Sequence, residues 1–230
     1  MNREAFLSRV RTAAAAGRAY RVKTRDGISA HTGYCGAGED KVARMASEVE
    51  AVGGRSHVVA DMNSARETLA ALLEQYDVRK ALCWQHPVLT RLGLGDLLAN
   101  RGITLLNHNL LTTLSPDEQR AEMFAADIGI SSATFGIAET GTLAMASGPG
   151  SERLASLLPP VHVAIIEADQ ILPDLFDLFA MLGEKGPDQL PSNLTLITGP
   201  SKTGDLELKL TTGVHGPGKW HVVIVRGAGL

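Results

Sequence analysis

Apolar residues in this chain recur in two alternating rhythms. Val42, Met45, Val49 and Val52 fall at i, i+3, i+7 and i+10, the spacing of one helix face, and Gly53-Gly54 ends the run, which predicts a helix over 39–52. Leu69, Leu72, Leu73 and Tyr76 repeat the pattern behind a capping box formed by Ser64 and Glu67. Ser115-Pro116-Asp117-Glu118 starts another helix, with a capping box and proline at the first helical position, running to about Ala126. Further helices are expected over 2–16, 96–101, 151–158 and 169–182. Between them lie short apolar runs bounded by turn residues: 57–60, 81–84, 103–106, 161–166, 193–198 and 221–225. Ser131–Ala138 and Thr142–Ala146 flank a Glu139-Thr140-Gly141 turn and read as a β-hairpin. Alternation of helices and strands predicts an α/β fold.

A chain of 230 residues makes one large domain, or one domain with a small appendage. Glycines punctuate residues 17–38, which divides the chain into an N-terminal helix with a Gly-rich arm, 1–38, and a main domain, 39–230. Aromatics are only 4%, so Ala, Leu, Val and Ile must build the core. Net charge is −3 with no long run of one sign, which excludes a nucleic-acid footprint and a polybasic membrane tail. No stretch approaches the ~18–20 apolar residues of a membrane span. Arg3, Glu4, Arg9 and Arg11 interrupt the first 16 residues, unlike a signal peptide. A soluble, cytoplasmic protein is expected. Cys35 and Cys83 are the two cysteines, too few for a four-thiolate iron–sulfur cluster within one chain. Cys83 and His86 form a Cys-x-x-His pair, but Cys83 ends an apolar run and reads as a core thiol. No cofactor is expected in this chain, and no metal site.

Ligands of open α/β sheets gather beyond the carboxyl ends of the strands, so the residues after each strand carry the candidate chemistry. Ser147-Gly148-Pro149-Gly150-Ser151-Glu152 and Thr198-Gly199-Pro200-Ser201-Lys202-Thr203-Gly204-Asp205 each follow an apolar strand with a hydroxyl residue, Gly and Pro. Glycine permits close backbone approach, free amides favour an anion, and Lys202 adds a point charge. Ordinary turn chemistry with a solvated lysine is the alternative. Glu139 is a candidate general base or nucleophile, or simply a turn charge. His215, between Gly213-Val214 and Gly216-Pro217-Gly218, is a candidate acid–base group or a loop histidine. His31, His86 and His108 are weaker candidates, and His57, His162 and His221, in or beside strands, read as structural. No Gly-x-Ser-x-Gly elbow exists, which removes a serine-hydrolase reading.

Four segments in order resemble the LUD domain of the lactate-utilisation protein C family. They are Gly136–Thr142, Leu157-Leu158-Pro159 with Val161–Ala164, Gly199–Asp205, and Gly213–Pro217. The resemblance implies a central, mostly parallel sheet with helices on both sides, similar to the sugar-phosphate isomerase and CoA-transferase group. It also implies a non-redox role in oxidising L-lactate to pyruvate, with separate iron–sulfur subunits supplying the clusters and a small anionic metabolite as ligand. Carried over, the pocket comprises Glu139, Thr140, Gly141 and Thr142 with Ser201, Lys202, Thr203, Asp205 and His215, beside the Gly148, Gly150 and Ser151 loop. A homo-oligomer is compatible with all of this. The alternative is an independent isomerase- or CoA-transferase-like enzyme that uses Glu139, an analogy at the level of fold.

Overall fold

The computed structural model describes residues 3–17, 36–186, 189–204 and 210–227. The chain divides into two compact units, 1–34 and 35–230. In the first unit the described residues form one helix, α1 (Arg3–Gly17), with Phe6 and Val10 exposed. The Gly-rich arm expected at 17–38 falls mostly outside the described residues, as do His31 and Cys35.

The second unit opens on α2 (Lys41–Ala51). Asp40 caps it, accepting from the Val42 and Ala43 amides at 3.0 Å each, and Val42, Met45 and Val49 are its buried face, as their spacing predicts. After β1 (Arg55–Val59) comes α3 (Met62–Gln75). Its cap is Asp61, accepting from the Ser64 amide at 2.8 Å, so the helix starts earlier than the Ser64–Glu67 box suggests. Then follow β2 (Lys80–Cys83), the short helices α4 (Pro87–Arg91) and α5 (Leu94–Ala99), β3 (Thr104–Leu106), and α6 (His108–Leu111). The helix α7 (Pro116–Phe124) has the expected reciprocal Ser115–Glu118 capping box.

The chain then changes sheets. Ser131–Ala138 is not one strand: β4 (Ile128–Ser131) belongs to the main sheet, and β5 (Phe135–Ile137) pairs antiparallel with β6 (Thr142–Ala146) in a second sheet. Residues Arg153–Ser156 form only a 3-10 turn where a longer helix was expected. The strand β7 (Val161–Glu167) leads through a 3-10 turn at Ala168–Gln170 into β8 (Ile171–Leu172) and α8 (Leu175–Gly183). The last elements are β9 (Leu194–Ile197), the two-stranded hairpin β10 (Lys202–Gly204) and β11 (Leu210–Thr212), and β12 (Lys219–Val225).

Six strands in the order β1-β12-β7-β4-β2-β3, all parallel, form the main sheet, and β8-β5-β6-β9 form the smaller mixed one. Every residue of β4 and β7, and β12 from Trp220 onward, is buried. That is why these strands read as unbroken apolar runs: both faces of a parallel sheet are covered. Trp220 packs towards Gly54 and Val49 beside α2, while its neighbour His221 bonds Tyr76 at the end of α3. Successive strand residues point to opposite faces, so α2 and α3 lie on opposite sides. The small sheet shares α2's face, since Gly136 lies against Met45 and Ile166. First and last strands are neighbours, and an ion pair of Arg226 with Asp40 (2.9 Å) ties the ends of the unit. Among the described residues no helix is long and apolar enough to cross a membrane.

Candidate functional site

Most of the predicted site residues that the structure describes lie in or beside two hollows or along the flank of α2. At the carboxyl rim, a cleft of about 320 Å³ lies among the loops after β2 and β3, lined by Trp84, Gln85, His86, Leu89 and Asn107. His86 caps α4 through Nδ1, which accepts from the Val88 amide at 3.4 Å, and burial holds its imidazole below the ordinary histidine range. Gly148, Gly150 and Ser151 lie beside this rim. Ser151 donates its amide to the Gly148 carbonyl at 2.9 Å, and the Gly150 carbonyl accepts from the Gln85 amide at 2.7 Å. The Gly150 amide donates to the Glu152 carboxylate at 2.9 Å, and the same Glu152 oxygen bonds His108 Nδ1 at 2.6 Å. An internal carboxylate thus occupies the amide that the sequence offered to an external anion.

The second hollow, about 170 Å³, lies at the amino-terminal ends of β7 and β12. Ser156, Leu157, His162, Ser201, His215 and Trp220 are among its walls. Two loops close it: Ser201 donates its amide to the Pro217 carbonyl, and its own carbonyl accepts from the Gly213 amide, both at 2.9 Å. These contacts bring Ser201 and the exposed His215 to one wall. His162 is fully buried. Its Nε2 shares a hydrogen bond of 2.8 Å with Ser131 Oγ, while Nδ1 has no partner. Burial, reinforced by nearby His221, holds His162 neutral down to about 3. Trp220, 2% exposed, also leaves Nε1 without a partner.

A chain of hydroxyls links this hollow to the Glu139–Thr142 turn. Thr140 Oγ1 bonds Thr142 Oγ1, which bonds Thr198 Oγ1, both at 2.7 Å, and Thr198 leads into the Gly199-Pro200-Ser201 wall. Gly141 (φ +61°) and Gly199 (φ +88°) both press on α2. A side chain would meet the Val49 amide at 2.6 Å from the first and the Val52 carbonyl at 2.9 Å from the second. The Glu139 carbonyl accepts from Arg44 of the same helix at 3.5 Å, and its Oε1 accepts from the Gly36 amide, ahead of that helix, at 3.4 Å. Lys202 donates Nζ to the Val52 carbonyl at the end of α2. Thr203 sits within β10 opposite Thr211, and Asp205 lies outside the described residues.

Of the residues the sequence singles out, Ser201 and His215 line this hollow, and the two rings behind them, His162 and Trp220, are not among its site candidates. Both hide in apolar runs, and His162 there reads as a structural strand histidine. The usable signal is positional: each is the second residue of its strand, and the two strands pair with Trp220 opposite His162.

A parallel six-stranded α/β sheet with a small mixed sheet on one face defines the fold class. The chain belongs to the LUD domain family, which matches residues 42–225. A Lactate utilization protein C of Halalkalibacterium halodurans is 35% identical over 148 residues, covering 64% of this chain. The match spans 62% of that relative's length, short of two thirds. Another protein of that name, from an Exiguobacterium species, is 30% identical over 198 residues, 81% of this chain and 83% of the relative. The crystal structure of a DUF162 family protein from Deinococcus radiodurans superposes with a TM-score of 0.57 at 18% identity, covering 80% of this chain and 96% of that one. That likeness concerns the fold.

Proposed function

We propose that this protein is a non-redox component of an L-lactate-oxidising system, acting with separate iron–sulfur subunits and holding a small anionic ligand. The observation that carries this reading is membership of the LUD family together with relatives named Lactate utilization protein C at 30% and 35% identity. Cysteine content supports the division of labour. Two cysteines cannot ligate a four-thiolate cluster, and burial raises the Cys83 thiol well above its ordinary range, away from the thiolate a metal needs. The hollow between the Gly199–Ser201 and Gly213–Pro217 loops is the ligand site in this reading, with Ser201 and His215 on its wall and Thr140 and Thr142 supporting it through Thr198. Reconstitution tests it. Lactate-dependent reduction of an electron-accepting dye by the purified iron–sulfur partners is measured with and without this chain. Loss of the rate on omission is expected, and an unchanged rate overturns the reading.

A further inference from the structure

The outermost strands of a sheet carry unpaired backbone groups, and native proteins blunt such edges with charge, with a covering group or by keeping them very short. The two larger sheets have four edges, and three of them are blunted. On β1 the Ser56 amide donates to the Glu50 carboxylate at 2.8 Å, beside the charged Arg55. On β8 the Leu172 carbonyl accepts from the Ala138 amide on the β5 side, so Ile171 turns outward, and its carbonyl accepts from Lys41 Nζ at 2.7 Å. On β3 the Thr104 amide donates to the Arg79 carbonyl on the β2 side, which leaves Leu105 alone facing out of a three-residue strand. The fourth edge, β9, has none of these devices. Leu194-Thr195-Leu196-Ile197 holds no charge and no proline, and among the described residues no side chain caps its outer groups.

Register says which groups those are. The Asn193 carbonyl accepts from the Ser147 amide at 3.0 Å, so residue 193 faces β6. In an antiparallel ladder successive residues alternate between partners, so Thr195 and Ile197 also face β6, while Leu194 and Leu196 turn both N–H and C=O outward. Those two residues are self-complementary. A second β9 laid antiparallel about a two-fold axis through Thr195 sets Leu194 opposite Leu196 in both directions, and every outward group then finds a partner in four hydrogen bonds. The side chains agree with this placement. Leu194 packs against the Ala144–Leu178 cluster beneath α8, and Leu196, two residues on and opposite Ala144, shares that face yet stays 42% exposed. Leu190 just before the strand and Phe179 on α8 are exposed as well. At ~200 Å² for an aromatic side chain, Phe179 alone leaves on the order of 100 Å² of ring to cover. With the two leucines and the strand backbone it supplies an apolar centre for the ~800 Å² that each partner of a stable interface buries.

We propose that β9 is a docking edge for a second copy of this chain, paired antiparallel about a two-fold axis at Thr195, so that two four-stranded sheets become one of eight strands. The pairing is closed: each copy uses its own open edge on the other's, and none is left to recruit a third. It does not depend on what the hollow binds or on the lactate-system reading.

Sedimentation equilibrium of the full chain over a range of concentrations is the first measurement, and twice the chain mass is expected. Leu196→Lys places a charge on the open edge at an exposed position, where folding is not at stake, and is expected to raise the dimer dissociation constant about tenfold or more. Val58→Lys, at an equally exposed position on the β1 edge, is expected to leave it within about twofold. Register is read by a cross-link. Facing residues of a non-hydrogen-bonded pair stand about 4.5 Å apart at Cα, within disulfide range, so Thr195→Cys is expected to give a covalent dimer on mild oxidation. The buried Cys83 is retained and Cys35→Ser removes the other thiol, with Thr104→Cys on the β3 edge as the control that stays uncoupled. A chain that is monomeric at every concentration overturns the proposal and leaves the edge to a strand of a different protein. A dimer that Leu196→Lys leaves intact, or that Val58→Lys disrupts instead, overturns it too, as does a dimer in which Thr195→Cys cross-links no better than Thr104→Cys.

Discussion

Gly129 lies in β4 beneath the 3-10 turn at Arg153–Ser156, and an added Cβ would stand 1.7 Å from the Ala155 carbonyl oxygen. The obstacle is backbone on a segment that also supplies Ser156 and Leu157 to the cavity wall, so no rotamer change relieves it. Gly129→Ala is expected to lower unfolding free energy by about 2 kcal/mol or more in denaturant titration, the cost of overpacking a close contact. Gly95, in α5, has nothing within 4 Å of the same position, and Gly95→Ala is expected to have the opposite sign, raising stability by about 0.5–1 kcal/mol. Equal effects at the two positions would contradict this account. A glycine inside a strand pattern signals close approach in the sequence, but nothing local to Gly129 says that residue 155, 26 positions away, is what approaches.

The helix α2 organises the candidate residues at the scale of elements. Gly141 and Glu139 lie along its flank, and Lys202 reaches the carbonyl of its last turn. A cation at a helix C-terminus offsets the negative end of the macrodipole. Lys202→Met is therefore expected to cost about 0.3–1 kcal/mol of stability, less at high salt, read from denaturant unfolding at two salt concentrations. Unchanged stability would mean that Lys202 does not act on the end of α2. The elements themselves were legible where a local signal existed. The Ser115–Glu118 box marks α7 and the Val42–Met45–Val49 stripe marks α2. The helices α4 and α6, at 5 and 4 residues, are too short to show a periodicity, and the sequence reading passes over them. The division of Ser131–Ala138 between two sheets was hidden for another reason. A run of strand-forming residues looks the same whether one sheet or two receives it.

Over the whole molecule, histidine burial sets the response to acid. Burial, with His57 and other nearby cations adding to it, lowers His221 to about 4, and His162 falls to about 3, both from an ordinary 6.5. Their folded-state values are depressed, so the unfolded chain binds the extra protons. Stability is full above about pH 6.5 and is lost as pH falls towards 4 and then 3, at up to about 1.4 kcal/mol per pH unit for each group. Together the two predict a loss of about 3–4 kcal/mol between pH 7 and pH 5, read from denaturant unfolding at the two values. A loss below about 1 kcal/mol would mean that the rings are not held neutral in the fold. His57, lowered mainly by its own partial burial, acts in the same direction.

The sequence by itself determined the cysteine count, which is composition alone, and the alternation of helices and strands, the capped helix starts and the signature turns, because each of these is written within a few neighbouring residues. Only the tertiary structure decided that Trp220 stands opposite His162, that Lys202 turns to α2, and that Glu152 occupies the Gly150 amide. These depend on strand register and on contacts between residues far apart in the chain. Packing of the whole domain fixes those pairings, and no short stretch encodes them.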